Sequence, residues 1–151
     1  MKKLVLCVLV CLLAVCCVAG CGQKSGKAVN IEQMVNELLS VPFDDELTLL
    51  ETEAAQVYYG INNAEKMYIY TGSGATAEEI AVFEFSSEAD AESAAQKANE
   101  HISAQKAAFA SYVPAEVPRL ENAVVKCSGK YLAVCVSGGT DAAEIIAKYL
   151  K

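Results

Sequence analysis

The sequence predicts an α+β fold: a four-stranded, mainly antiparallel sheet made of two hairpins, with helices packed on one face. Three observations predict it. Apolar residues recur at helical spacing in separate stretches near the start, middle and end. Two pairs of short stretches, rich in β-branched and aromatic residues, are each joined by glycine-bearing loops. The two kinds alternate in the order α-α-β-β-α-β-β-α, which a helix layer on a sheet accommodates. One sheet face then stays partly open.

The elements follow in chain order. Asn30, with Gln33 three residues on, has the pattern of a helix cap. Ile31, Met34, Val35, Leu38 and Leu39 repeat as a helical stripe, and Pro42 ends that helix. Residues 43–46 read as a turn and residues 47–50 as a short extended piece. Residues 51–59 read as a helix stopped by Gly60. Residues 66–71 and 79–85 form the first hairpin, around a glycine-rich loop. Ser86 or Ser87 opens a long helix to Tyr112, whose alanines let it lie close to a sheet. Pro114 and Pro118 bound an irregular connection. Residues 122–127 and 130–136 form a second, tight hairpin around Ser128-Gly129, with paired positions summing to 257. Gly138-Gly139 ends that strand, and Thr140 caps a final helix striped by Ala142, Ile145, Ile146, Tyr149 and Leu150. Lys148 and Lys151 stand at its dipole-negative end.

The start of the chain has a different character. Basic Met1-Lys2-Lys3 precedes an unbroken apolar run over residues 4–18, then Val18-Ala19-Gly20-Cys21. Fifteen residues fall short of the roughly 20 needed to span a bilayer, so the run reads as a signal-peptide core. The small residues before Cys21 suit a protease that binds them extended. Cys21 then becomes the N-terminus and carries a lipid, and two or more acyl chains hold a protein stably on a membrane. The expected organisation is a signal peptide over residues 1–20, lipidated Cys21 with a flexible tether over 21–29, and one α+β domain over 30–151.

Composition supports that division. Four of the seven cysteines (Cys7, Cys11, Cys16, Cys17) leave with the signal. Lys2 and Lys3 leave too, so ten basic residues face nineteen acidic ones, a formal charge of −9. Such a chain has no basic patch to neutralise phosphates, which argues against a nucleic-acid partner. The remaining 131 residues suit one domain.

Candidate chemistry is sparse. Cys127 and Cys135 sit five positions apart in the expected register, about 16 Å, so free thiols are expected rather than a disulfide. His101 is the only histidine, without metal-ligand spacing, and reads as a boundary side chain. Asp44-Asp45-Glu46 and Glu78-Glu79 lack the alternation of a calcium loop and read as solvated surface. The loop over 71–76 has the glycines of a phosphate cradle but leads into a strand and lacks a lysine. No cofactor or metal site is expected. The tyrosines are more informative. Tyr68, Tyr70 and Tyr131 on strands would offer amphipathic rings on the open sheet face, suited to peptides or sugars. Tyr58, Tyr59 and Tyr112 lie at element ends.

Several stretches carry a resemblance: Tyr59-Gly60-Ile61, residues 77–83, Tyr112-Val113-Pro114, residues 121–126 and Gly129-Lys130-Tyr131-Leu132. Over residues 59–150 the chain resembles the domain-of-unknown-function 4358 (DUF4358) family of small Gram-positive lipoproteins. The resemblance implies a place on the outer face of the cytoplasmic membrane and brings no assigned activity or site residue. The expected function is a lipid-anchored, non-enzymatic binding domain for a protein, peptide or wall component. The alternatives are a small envelope enzyme, which would gather His101 or Glu78/Glu79 with a tyrosine hydroxyl, and a solute-capture lipoprotein.

Overall fold

The computed structural model describes residues 28–151. The expected signal peptide, the expected lipidation site Cys21 and the expected tether up to residue 27 lie outside the described residues. The helices are α1 (Ile31–Leu38), α2 (Thr52–Tyr59), α3 (Glu88–Tyr112), α4 (Val117–Glu121) and α5 (Asp141–Tyr149). The strands are β1 (Thr48–Leu49), β2 (Lys66–Thr71), β3 (Glu79–Glu84), β4 (Val124–Ser128) and β5 (Tyr131–Val136). A 3-10 turn, Pro114–Glu116, precedes α4. The sheet has five strands in the order β1-β2-β3-β5-β4, all neighbours antiparallel. The expected four strands gain β1, a two-residue edge piece too short to carry a period.

The expected single helix layer is corrected by the packing. On one face α2, α3 and α4 cover Ile69, Ala81, Phe83, Leu132, Val134 and Val136. On the other, α1 and α5 cover Ile80, Val82, Tyr131, Ala133 and Cys135. The sheet is the middle of three layers. The physical reason is legible in its central strands. β3 and β5 have no polar alternation over Ile80–Phe83 and Leu132–Val136 and are buried along both faces, as strands covered on both sides must be.

Local chemistry accounts for the helix ends. The Asn30 side chain accepts from the Gln33 N–H at 3.0 Å, capping α1. Gln33 does not return the bond; its amide donates to Glu37 instead. Gly60 takes φ +64° and stops α2. Ser87 caps α3 by accepting from the Asp90 N–H. Ala91, Ala94 and Ala98 are the small side chains that bring α3 close to the sheet.

The second hairpin is shifted from its expected register. Cys127 pairs with Leu132 and Cys135 with Val124, and the two-residue turn is Gly129-Lys130. Cys127 and Cys135 are thus three positions apart, on opposite faces and about 10 Å from each other. Both are free. Burial pushes the Cys135 thiol up to about 12. Burial, then Glu92 and Glu88, raises that of Cys127.

Candidate functional site

β3 begins with Glu79, registered opposite Thr71 and Val136, so the side chain stands at one end of the sheet. It points toward α2 and α3 and is 1% exposed. α2 delivers Tyr58 and Tyr59 in its last turn, just before Gly60. α3 delivers His101 and Gln105, one turn apart. The Tyr59 hydroxyl donates to Glu79 Oε1 at 2.7 Å and the Tyr58 hydroxyl to Oε2 at 3.0 Å. His101 Nε2 lies 3.1 Å from Oε2. An ionised carboxylate only accepts, so beside it Nε2 carries the proton. Gln105 donates to the Tyr58 oxygen at 2.7 Å, which leaves the Tyr58 proton for Glu79.

The rings enclose the imidazole. Tyr59 stacks on His101 with centroids 4.2 Å apart, and Tyr58 tilts against it at 4.7 Å. Phe83 meets the edge of Tyr59. Burial first, and the Glu79 charge second, pushes both tyrosine hydroxyls well above their ordinary value. Both phenols therefore stay protonated donors. Every buried side-chain nitrogen and oxygen among the described residues has a hydrogen-bond partner. The His101 side chain, 11% exposed, sits at the edge of this cluster.

Glu78, 2% exposed, turns the other way. Its carboxylate accepts from the N–H groups of Asp44 (3.0 Å) and Asp45 (2.9 Å) and from the Thr76 hydroxyl (3.1 Å). Arg119 approaches it at 3.3 Å, reaches Glu116 at 2.8 Å and pairs with Asp44. Glu116 also accepts from the Ala77 N–H, and Asp45 from the Ser73 N–H and hydroxyl. One arginine and its acids thus tie together the loops around residues 43–46, 72–78 and 114–119. A side chain at position 72 would push against Asp45. A Cβ would stand 2.7 Å from Asp45 Oδ2.

Residues 40–137, more than half of the chain, match the family model described as Domain of unknown function (DUF4358). The chain belongs to the DUF4358 family. No curated protein and no solved structure matches it. The DUF4358 match takes in all five strands and both acidic clusters, and leaves α1 and α5 outside.

Against the sequence-derived sites, the DUF4358 domain gives a mixed result. Tyr131 is buried at 7% exposure, and its hydroxyl accepts from the Val29 N–H. Tyr68 and Tyr70 are half-buried against the α1–α5 layer, and Tyr68 donates to Glu32 on α1. These rings share a face, which α1 and α5 close over Tyr131 and leave half-exposed at Tyr68 and Tyr70. Glu78 and Glu79, expected in solvent, are among the most buried polar groups. His101, expected as a boundary side chain, bonds one of them. The sequence held one usable signal: Glu79 directly abuts the continuous apolar run of β3. The partners from α2 and α3 are 20 and more residues away and carry none. Among the described residues, no group of three or more His, Cys, Asp or Glu could hold a metal ion, and no helix is long and apolar enough to cross a membrane.

Proposed function

We propose that the chain is a lipid-anchored lipoprotein on the outer face of the cell membrane, and that its domain binds a protein, peptide or wall component without catalysis. The observation that carries the anchoring is the order of basic start, 15-residue apolar run and Val18-Ala19-Gly20-Cys21. The binding reading is supported by the internal pairing of both buried clusters. Glu78 and Glu79 spend their acceptors on the protein's own loops and helices, as architecture does. Of the strand tyrosines, Tyr68 and Tyr70 keep ring surface for a partner. The test has two parts. An alkyne fatty acid fed to cells should label the wild-type chain and not Cys21→Ser. Tyr68→Ala with Tyr70→Ala should lose partners that the wild-type chain captures from wall extracts; unchanged capture removes that surface.

A second reading is favoured by one geometric fact. His101, Glu79 and two tyrosine hydroxyls meet at one point, and the His101 side chain is 11% exposed. In this reading His101 Nδ1 takes the proton of a water attacking the carbonyl carbon of an envelope ester or amide and returns it to the departing alcohol or amine as the C–O or C–N bond breaks, with Glu79 orienting the ring. Hydrolysis of such a substrate by the wild-type chain, lost in a folded His101→Gln variant, would establish it. No turnover on wall or lipid esters and amides removes it.

A further inference from the structure

We propose, resting on the reading of Tyr68 and Tyr70 as a binding surface, that the partner is a basic, extended segment of another protein lying along β2 over those two rings. The place where the helix layer stops is the first support. α1 and α5 cover Ile80, Val82, Ala133 and Cys135 on the central strands but leave Tyr68 and Tyr70 on β2 half-buried. Leu49, registered opposite Tyr70 on the edge strand, is 50% exposed. The outer strands thus carry an aromatic and apolar shelf beside α1. Spacing is the second support. Tyr68 and Tyr70 are alternate residues of one strand, so they project from one face about 7 Å apart. An extended partner repeats its side chains at the same interval, and every second residue then meets a ring. Lys66, on the same face, bounds the shelf at its other end.

Charge decides the partner. Residues 28–71, which supply α1, β1, α2 and β2, contain eight acidic residues and one basic residue, Lys66. Residues 72–151 contain eleven acidic and seven basic residues. The excess of acid therefore gathers beside the β1–β2 edge. Glu32 on α1 accepts from the Tyr68 hydroxyl at 3.0 Å, at the rim of the shelf. Glu46 and Glu51 are exposed, two residues to either side of β1. None of these three acids has an ion-pair partner among the described residues. An ammonium or guanidinium group on the shelf lies over tyrosine rings with carboxylates beside it, and both attract it. An anionic wall polymer would meet those carboxylates as like charge. A second copy of the chain brings the same acidic edge. Its other edge strand, β4, offers exposed Lys126 alone, with Glu92 and Glu88 near the same strand.

The test uses the full chain in phosphatidylcholine nanodiscs and two dye-labelled peptides, one alternating lysine and valine, the other glutamate and valine. Fluorescence anisotropy should show binding of the lysine peptide, weakening as salt rises, and none of the glutamate peptide. Glu32→Gln, at an exposed position, should weaken binding about threefold, and Tyr70→Ala about fivefold. Lys126→Gln, on the far edge, should leave it unchanged. Equal binding of the two peptides, or binding of the lysine peptide that Glu32→Gln leaves at wild-type strength, overturns the proposal. The lysine peptide should also displace the partner that the wild-type chain captures from wall extracts. If Tyr68→Ala with Tyr70→Ala loses that partner but the peptide does not displace it, the tyrosine surface stands and the basic partner is overturned. Displacement by wall glycan strands instead, or a dimer in sedimentation, overturns it as well. Capture unchanged in the double variant overturns the surface and the partner together.

Discussion

Removing the Glu79 carboxyl strands three groups at once: two tyrosine hydroxyls and an imidazole N–H, all turned inward. Leaving buried donors unpaired carries their desolvation penalty, so Glu79→Ala should destabilise the domain by about 4 kcal/mol. Tyr59→Phe removes one donor and leaves the carboxylate two others, at about 1 kcal/mol. Urea unfolding of the three proteins gives the ranking directly. A larger effect from Tyr59→Phe than from Glu79→Ala would mean that the carboxylate is not the hub. Hydrogen bonds from the Ser73 side chain and backbone hold Asp45 below its ordinary 3.8, and the Ser87 and Ser86 hydroxyls do the same for Asp90. Bonds from Lys148 and Tyr149 hold Glu37 below 4.5. Each is depressed in the fold. The stability it adds is therefore complete above the ordinary value and lost as pH falls through the lower, folded one. Urea midpoints should be level from pH 7 to about 5 and fall below about 4, and less steeply in Asp45→Asn. The thiol of Cys135 shifts the opposite way. Raised to about 12 by burial, it should resist a thiol reagent at pH 8 until the chain unfolds, while half-buried Cys127 reacts first.

At the level of elements, the caps are where local sequence and local structure agree most closely. Asn30→Ala should cost about 1 kcal/mol by freeing the Gln33 N–H. Gly60→Ala forces a side chain into φ +64°, also at about 1 kcal/mol, although its Cβ would meet nothing within 4 Å. Circular dichroism on thermal melts reads both. The same locality explains what the sequence disclosed. Stripes such as Ile31, Met34, Val35 and Leu38 mark a helix and its buried face, and a Gly after Tyr59 marks its end. They do not say which side of the sheet the helix takes. α1 and α5 are separated by the whole sheet in sequence and meet through Glu37, Lys148 and Tyr149, over a hundred residues apart. For Glu79, the apolar run beside it hints at burial but does not name its partners. An acid before a strand is ordinarily solvated, and only Tyr58, Tyr59 and His101, brought by two other elements, make its burial tolerable. Periodicity does not encode a meeting of three elements. The two-residue β1 lies within the extended piece expected over residues 47–50, but its place as an edge strand depends on pairing with Thr71 and Tyr70, which its own residues do not encode.

For the whole molecule, the question is whether three layers are needed or two suffice. The sheet's two apolar faces share the same strands, since each residue of β3 and β5 alternates sides. Ile80, Val82, Ala133 and Cys135 are at most 1% exposed, and α1 and α5, with Phe43 and Leu47 beside them, cover that side. Met34 and Leu38 on α1 and Ile146 and Leu150 at α5 are equally buried against them. The family match over residues 40–137 contains the strands but neither of these helices. A fragment of those residues would therefore expose most of one face of the central strands, an apolar patch that folded monomers do not carry free. It should bind a hydrophobic dye, self-associate and lose its sharp unfolding transition, while the chain from Asn30 to Lys151 unfolds in one step. Met34→Ala tests the same layer without truncation and should cost about 3 kcal/mol, because α1 and α5 leave a void at the sheet rather than closing over it. A fragment that stays monomeric and melts cooperatively would show that the α2–α3–α4 core holds the sheet unaided. α1 would then be a detachable strap between the tether and the domain rather than its third layer.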